Sequence, residues 1–277
     1  MKIGLIVLFI ISIVALVLIL VFSLKYAWWK KPIQWSQPRV LMYHMVRDHI
    51  QGAKFNKLRV TPTAFEKQLA WMKAEGFHFV TMRELQENWG QHPEKTVAIT
   101  FDDGYLDNFE KAFPILKKYD AKATIYVVVD RHDRDWSTYK KAHHNTGELA
   151  REPKLNDQQV RLLADSGLVE IGSHTLTHAN LNKLSDADCL FELIESKAQL
   201  ETLTEQSITS FAYPFGIYSM RDVQLAQEAG YKNAVTTKEG IDLLPPDFMQ
   251  MKRIKISGKD SMLAFKLRLK LGSRSGK

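Results

Sequence analysis

The sequence predicts an α/β protein, a parallel-stranded β/α barrel preceded by one helix long enough to cross a membrane. Three observations carry that expectation. Apolar runs of strand length alternate with segments of helical period along most of the chain. Each cluster of acidic, histidine or proline residues that could do chemistry directly follows an apolar run. The first two dozen residues form an uncharged stretch unlike anything after them.

Ile3 to Leu24 holds no charge and no proline. At about 1.5 Å per helical residue it suffices to cross a hydrocarbon core of about 30 Å. Lys2 precedes it, Lys25, Lys30 and Lys31 follow, and Tyr26, Trp28 and Trp29 suit an interfacial aromatic belt. A cleaved signal peptide would have an apolar region of about 7–15 residues followed by a small-x-small site, which this segment lacks. Residues 1–24 are therefore expected to be a retained transmembrane anchor. Residues 25–37 are expected to be a juxtamembrane linker interrupted near Pro32 and Pro38, and 38–277 a single catalytic domain. Lysine and arginine are more frequent after the span than before it, which by the positive-inside rule would leave the domain in the cytoplasm. Only two residues precede the span, so the chemistry below takes precedence and places the domain outside.

The elements follow in order. Val40–Tyr43 reads as a short buried strand. Thr61-Pro62 opens a helix through Phe65, Leu69 and Met72, stopped near Gly76. Phe77–Thr81 is a strand and Met82–Trp89 a helix. Val97–Phe101 is an apolar strand ending in Asp102-Asp103-Gly104. Tyr105–Tyr119 has a helical pattern, with Pro114 as a kink or a start. Ala123–Val129 is a strand. Residues 131–157 are polar and without period, and read as a loop insertion. A helix from Asn156 or Asp157 ends at Gly167. Leu168–Ile171 is a strand ending in Gly172-Ser173-His174. Ser185 caps a helix to about Leu203. Ile208–Ala212 is a strand ending in Tyr213-Pro214-Phe215-Gly216, Met220–Ala229 a helix, and Ala234–Thr237 and Arg253–Ile256 the last strands. About seven strand–helix units point to a closed or nearly closed barrel, where reacting groups gather at the C-terminal ends of strands.

Composition narrows the class further. The apolar fraction of 45% and charged fraction of 25% exclude a disordered or multi-span chain. Cys189 is the only cysteine, which excludes an internal disulfide framework and a Cys-rich zinc site. The net charge of +7 favours anionic surfaces, but no recognition helix, zinc finger or aromatic-studded basic strand supports nucleic-acid binding.

His174 and His178 lie four apart in His-Thr-Leu-Thr-His, a spacing that can present two imidazoles to one metal ion and that two ordinary loop histidines would also give. Asp102 and Asp103 end an apolar strand, where a helix N-terminus would equally account for two acids. Together the clusters supply more than either alone. Two histidines and one aspartate satisfy a catalytic zinc site with an open position, and a second carboxylate beside the metal can take a proton from water. That set suits hydrolysis of an amide or ester.

Thr100-Phe101-Asp102-Asp103-Gly104-Tyr105, Ser173-His174-Thr175-Leu176-Thr177-His178 and Phe211-Ala212-Tyr213-Pro214-Phe215-Gly216 resemble the motifs of the polysaccharide deacetylases, the NodB-homology enzymes of carbohydrate esterase family 4. The resemblance covers roughly residues 38–257. It implies a distorted (β/α)7 barrel and removal of acetyl groups from acetylated sugars. It implies Asp102 as general base and Asp103, His174 and His178 as ligands of a divalent metal, Zn²⁺ first, with Co²⁺, Ni²⁺ or Fe²⁺ also suited to such donors. It implies the Tyr105 backbone N–H as an oxyanion donor, and Tyr213, Pro214 and Phe215 as the sugar-binding stretch.

Two departures stand out. Ala212 occupies the stretch where many members carry the arginine that orients the base, so that role falls to another group. No histidine follows His178, so the C-terminal general-acid histidine of many members is missing. His44, after the first strand in Leu41-Met42-Tyr43-His44, is the candidate replacement. The Met-Tyr-His start and the Phe-Ala-Tyr-Pro-Phe-Gly motif resemble the branch that de-N-acetylates poly-β-1,6-N-acetylglucosamine. In that branch the motif order is circularly permuted and an N-terminal histidine serves as acid. A core histidine bonded to backbone is the alternative for His44.

The expected function is thus a membrane-anchored, metal-dependent polysaccharide N-deacetylase. Peptidoglycan, chitin-like oligomers and acetylated xylan are rival substrates, and a non-catalytic glycan-binding barrel or a membrane-surface structural protein are rival classes. His132, His143 and His144 could form a second metal site or a solvated loop, and Asp135-Trp136 could line the groove or pack the loop. Leu263–Leu271 reads as a basic terminal helix or strand with one solvated face, or as a lipid-surface segment.

Overall fold

The computed structural model describes residues 2–26, 28–132, 147–242 and 246–273. Seven parallel strands close a barrel. They are β1 (Arg39–Tyr43), β5 (Thr96–Phe101), β6 (Ala123–Val127), β7 (Val169–Ser173), β8 (Ser210–Ala212), β9 (Asn233–Glu239) and β10 (Met251–Lys255). Closure is made by β1, which pairs with β10 at Leu41–Ile254 and with β5 from Arg39–Val97 to Tyr43–Phe101. β4 (His78–Val80) shares the other edge of β5 with β6, taking Thr96–Ala98 and leaving Ile99–Phe101. β2 (Met45–Val46) and β3 (Arg59–Val60) form a separate two-stranded sheet, too short to have shown a period in the sequence.

The helices are α1 (Lys2–Tyr26), α2 (Pro62–Ala74), α3 (Met82–Glu87), α4 (Phe113–Tyr119), α5 (Asp157–Ala164), α6 (Asp186–Thr204), α7 (Met220–Glu228) and α8 (Met262–Leu271). Thr61, Asn156, Ser185 and Ser219 cap α2, α5, α6 and α7 by accepting a backbone N–H three residues on.

Alternation along each strand divides the interior in two. Leu41, Ile99, Ile125, Ile171, Phe211 and Ile254 face the helices and build the main core. Truncating such a side chain to alanine costs about 2–5 kcal/mol. The alternate residues Val40, Ala98, Tyr126, Ala212, Val235 and Met251 fill the barrel, and α3 plugs its N-terminal end with Met82 and Leu85. Gly172 is required here, because a Cβ at that position would lie 2.6 Å from the Tyr126 ring.

The segment expected to be a linker is partly docked. Arg39, fully buried at the start of β1, donates to the carbonyls of Ile33, Gln34, Gln37 and Leu269. Trp35 packs edge-on to Phe77, and its carbonyl accepts the Lys95 N–H. Residues 33–37 therefore belong to the underside of the barrel. α1 carries an apolar stretch, Gly4–Leu24, of mean hydropathy 3.6, none of it buried against the protein.

One expected helix changes in detail. The predicted helix Tyr105–Tyr119 begins with a π-helical turn, Asn108–Ala112, and becomes α4 only at Phe113, where Pro114 sits in the first turn with no N–H to satisfy. The basic C-terminal segment is a helix, α8, whose Phe265 and Leu269 face the domain, with Phe265 edge-on to Trp71. His143, His144, Asp135 and Trp136 lie outside the described residues, and His132 is exposed.

Candidate active site

The three motifs converge at the C-terminal mouth of the barrel. Asp102 and Asp103 follow β5, His174 follows β7, His178 ends the turn after it, and Tyr213-Pro214-Phe215 follows β8. Parallel pairing brings these strand ends to one rim.

Asp103, His174 and His178 are buried together with their ligand atoms within 4.8 Å of one another. The Nε2 atoms of both histidines lie 3.4 Å from Asp103 Oδ1. The other ring nitrogen of His174 donates to the Ala212 carbonyl at 2.7 Å, which leaves its Nε2 lone pair for the cluster. Two imidazoles and one carboxylate on a common centre, with a backbone carbonyl fixing one ring, fit a divalent cation of the zinc type. The electrostatics agree. Burial alone would raise the Asp103 carboxyl, but the hydrogen bond from His174 and the nearby imidazoles of His178, His44 and His174 hold it well below the usual range. Burial and the neighbouring His174 push His178 down to about 3, which keeps its imidazole neutral, the form in which it could bind a metal. His174 is lowered by burial and raised more by Asp103 and Asp102, for a net upward shift.

Backbone strain is concentrated here. Of the seven non-glycine residues with positive φ among the described residues, Asp103, Thr175, His178 and Phe215 lie in the site motifs. Glu192 of α6 holds the strained turn between the histidines, its carboxylate accepting the Thr177 N–H at 2.9 Å and the Thr177 hydroxyl at 2.6 Å. The sequence alone did not single out Glu192, which sits among ordinary helical charges.

Asp102 is held by Arg253 of β10. The guanidinium donates to both carboxylate oxygens, at 2.7 and 2.8 Å, and is itself fixed by the Thr236 carbonyl at 2.8 Å and the Thr100 hydroxyl at 3.1 Å. Burial would raise the Asp102 carboxyl, and Arg253 more than offsets it, holding the group below its ordinary range. Arg253 thus grips Asp102 from β10, whereas the third motif carries Ala212 and offers no such side chain. Nothing in the sequence set Arg253 apart, because β10 carries Lys252 and Lys255 on either side of it. Ala212 serves instead through its backbone, on His174.

His44 directly follows β1, which lies between β5 and β10, so it reaches the same mouth. It is half-buried and close enough to act electrostatically on Asp102, Asp103 and His178. Its carbonyl accepts from Asn108 Nδ2 in the π-helical turn. Tyr105 bridges to Lys154 through bonds on either side, Leu155 N–H to Gly104 O and Leu106 N–H to Pro153 O, and neither uses the Tyr105 N–H.

The third motif splits. Phe215 is half-buried, its ring 4.4 Å from that of His178, and forms a wall beside the cluster. Tyr213 is 1% exposed, packed edge-on to Phe211 and stacked on Tyr218 at 4.4 Å. Alternation along β8 turns Ala212 inward and Tyr213 toward the helices, so Tyr213 shapes the rim from behind and offers no open surface to a sugar. Pro214 is buried as well.

A seven-stranded β/α barrel with an Asp-His-His cluster beside an arginine-held carboxylate has the architecture of the polysaccharide deacetylases. The family model described as polysaccharide deacetylase matches residues 90–234, and the chain belongs to that family. It is 31% identical over 240 residues to the polysaccharide deacetylase homologue YxkH of Bacillus subtilis, covering 86% of this chain and 77% of that one. A polysaccharide deacetylase from Bacillus cereus superposes with a TM-score of 0.71 at 30% identity, covering 84% of this chain and 69% of the other. The poly-β-1,6-N-acetyl-D-glucosamine N-deacetylase of Staphylococcus aureus is 26% identical over 190 residues, 65% of this chain and 61% of that protein.

Proposed function

We propose that this chain is a metal-dependent polysaccharide N-deacetylase, tethered to the membrane by α1, that hydrolyses N-acetyl groups of an N-acetylglucosamine polymer outside the cytoplasm. Poly-β-1,6-N-acetylglucosamine is the first substrate to test, because a Staphylococcus aureus relative that aligns with 65% of this chain at 26% identity carries that specificity in its name. The observation that carries the reading is the pairing of two buried sets: Asp103, His174 and His178 around one centre, and Asp102 locked beside them by Arg253.

Asp103, His174 and His178 would hold the ion. When bound, it supplies Lewis acidity toward water and toward the acetyl carbonyl. Asp102 stays ionised through Arg253 and accepts a proton from the attacking water. The Tyr105 N–H stands ready to donate to the oxyanion that develops on the acetyl oxygen. His44 delivers a proton to the departing sugar nitrogen, so that acetate and a free amine leave. Phe215 walls the sugar beside His178.

Acetate release by the full chain in detergent tests this reading, on β-1,6-linked N-acetylglucosamine oligomers alongside peptidoglycan, chitin oligomers and acetylated xylan. The expected result is release that stops on chelation, returns with Zn²⁺ and is absent in Asp102→Asn. Release from none of the polymers would sink the enzyme reading.

A further inference from the structure

The anchor and the site lie at opposite poles of the barrel. Residues 33–37 dock under the N-terminal ends of β1, β4 and β5, through the Arg39 bonds, the Trp35–Phe77 contact and the Lys95 N–H to the Trp35 carbonyl. Asp102, His174 and Phe215 follow the C-terminal ends of β5, β7 and β8. A five-residue strand alone separates the two ends by about 16 Å, and connecting segments extend both.

The tether is short. α1 ends at Tyr26 and the docked segment begins at Ile33. The seven Cα–Cα steps from Tyr26 to Ile33 reach at most about 25 Å when fully extended. A compact domain of this size measures about 45 Å across. Turning the barrel over, so that its mouth met the bilayer, would lift the docking point by about that diameter, farther than the tether can stretch. Trp28 and Trp29 are exposed, and so are Lys30 and Lys31, which suits an interfacial segment immediately below the barrel.

We propose that the barrel stands on the membrane by its N-terminal pole, with the deacetylase mouth opening away from the bilayer. The site therefore takes sugar units of a polymer strand that stands clear of the membrane, and does not reach a sugar joined to lipid at the bilayer surface. This rests on the membrane-tethered deacetylase reading and narrows its substrate by position.

The test uses the full chain in vesicles of phosphatidylethanolamine and phosphatidylglycerol that carry a fluorescent acceptor on the lipid headgroups. A donor dye is placed on Glu94→Cys, just before β5, or on Lys183→Cys, five residues beyond His178. Both positions are exposed, and the native Cys189 is fully buried. Energy transfer is expected to be about twofold or more stronger from position 94 than from 183, given a domain about 45 Å across. Equal or reversed transfer overturns the orientation, and a chain that washes off the vesicles overturns it together with the tether. In the same vesicles, acetate release from a free oligomer is compared with release from that oligomer coupled to phosphatidylethanolamine. The coupled form is expected to react at least roughly tenfold more slowly, as for any group held out of reach of the site, and equal rates overturn the substrate restriction. If neither form reacts, the deacetylase reading fails and the substrate restriction with it, while the transfer measurement still decides the orientation.

Discussion

Arg253 clasps Asp102 through two parallel hydrogen bonds although the residues lie 151 positions apart. Both side chains are nearly inaccessible, at 0% and 4%. The pair joins β10 to the end of β5 across the barrel interior, so the geometry of the proposed base depends on the barrel being closed. A buried bidentate pair of this kind fixes direction as well as charge. Removing one partner leaves the other charged and dry, which costs about 3–5 kcal/mol.

The first expectation concerns that pair. Arg253 holds the Asp102 carboxyl below its usual range against the upward push of burial. In Arg253→Lys the charge remains and the two-pronged grip is lost, so the carboxyl titrates at higher pH. Since the ionised form is the one that accepts a proton, the acid limb of the pH–rate profile should move upward, with kcat at neutral pH reduced about 10–100-fold, within the span general base catalysis supplies. An unshifted acid limb in a folded variant would remove Asp102 from the role.

Metal binding should be readable without any turnover. A ligand that binds only the folded chain stabilises it by about 2.7 kcal/mol at a hundredfold excess over its Kd. Zn²⁺ should therefore raise Tm by several degrees in the wild type. The rise should disappear in Asp103→Ala and His174→Ala, which remove members of the only His/Cys/Asp/Glu group of this geometry among the described residues. A persistent rise in both variants would place the ion elsewhere.

His44 can be separated from its structural alternative by the leaving group. Protonation of a departing amine is demanding, whereas an activated aryl acetate departs without it. His44→Gln should lower kcat on an N-acetylated sugar about a hundredfold or more and leave aryl acetate hydrolysis within about threefold. A uniform loss on both substrates would instead make His44 a packing residue.

These sites differed in how openly the sequence displayed them. Asp103, His174 and His178 were legible because each belongs to a short motif at a strand end, and strand ends meet at one mouth in a parallel barrel. Arg253 was not, because only closure of the barrel, through the pairing of β1 with both β5 and β10, brings the last strand beneath Asp102. Glu192 was hidden for the same reason, since its partner Thr177 is fifteen positions away on another element. The register of β8 decided Tyr213: a period of two places Phe211 and Tyr213 on the helix side, whereas the motif considered as a string assigned Tyr213 to the sugar together with Pro214 and Phe215. β2 and β3 are two residues each and leave no period to read.

Gly172 and Tyr126 should behave as one unit. A methyl group at position 172 would press on the Tyr126 ring, which fills the barrel just below the site. Gly172→Ala is expected to destabilise by about 1–3 kcal/mol through overpacking. Adding Tyr126→Leu should recover part of that loss, giving a coupling of about 0.5–3 kcal/mol in a double-mutant cycle. Strict additivity would mean that the barrel relaxes without involving the ring.

Asp107 offers a pH signature independent of catalysis. Its carboxylate accepts the Val46 N–H at 2.9 Å and the Asn108 amide at 3.0 Å, yet burial dominates and pushes the carboxyl up to about 6. The folded state therefore holds this proton more tightly than the unfolded chain. Between about pH 4 and 6 the native state binds more protons, so stability falls as pH rises through that window and the penalty is complete above it. Asp107→Asn keeps an oxygen to accept the Val46 N–H and never ionises. At about 1.4 kcal/mol per pKa unit, urea denaturation at pH 8 should show the variant more stable by about 1–3 kcal/mol. At pH 4 the difference should vanish, because the wild-type carboxyl is then protonated in the folded state and only about half ionised in the unfolded chain. A gain that persists unchanged at pH 4 would mean that side-chain packing, and not the charge, sets the stability at this position.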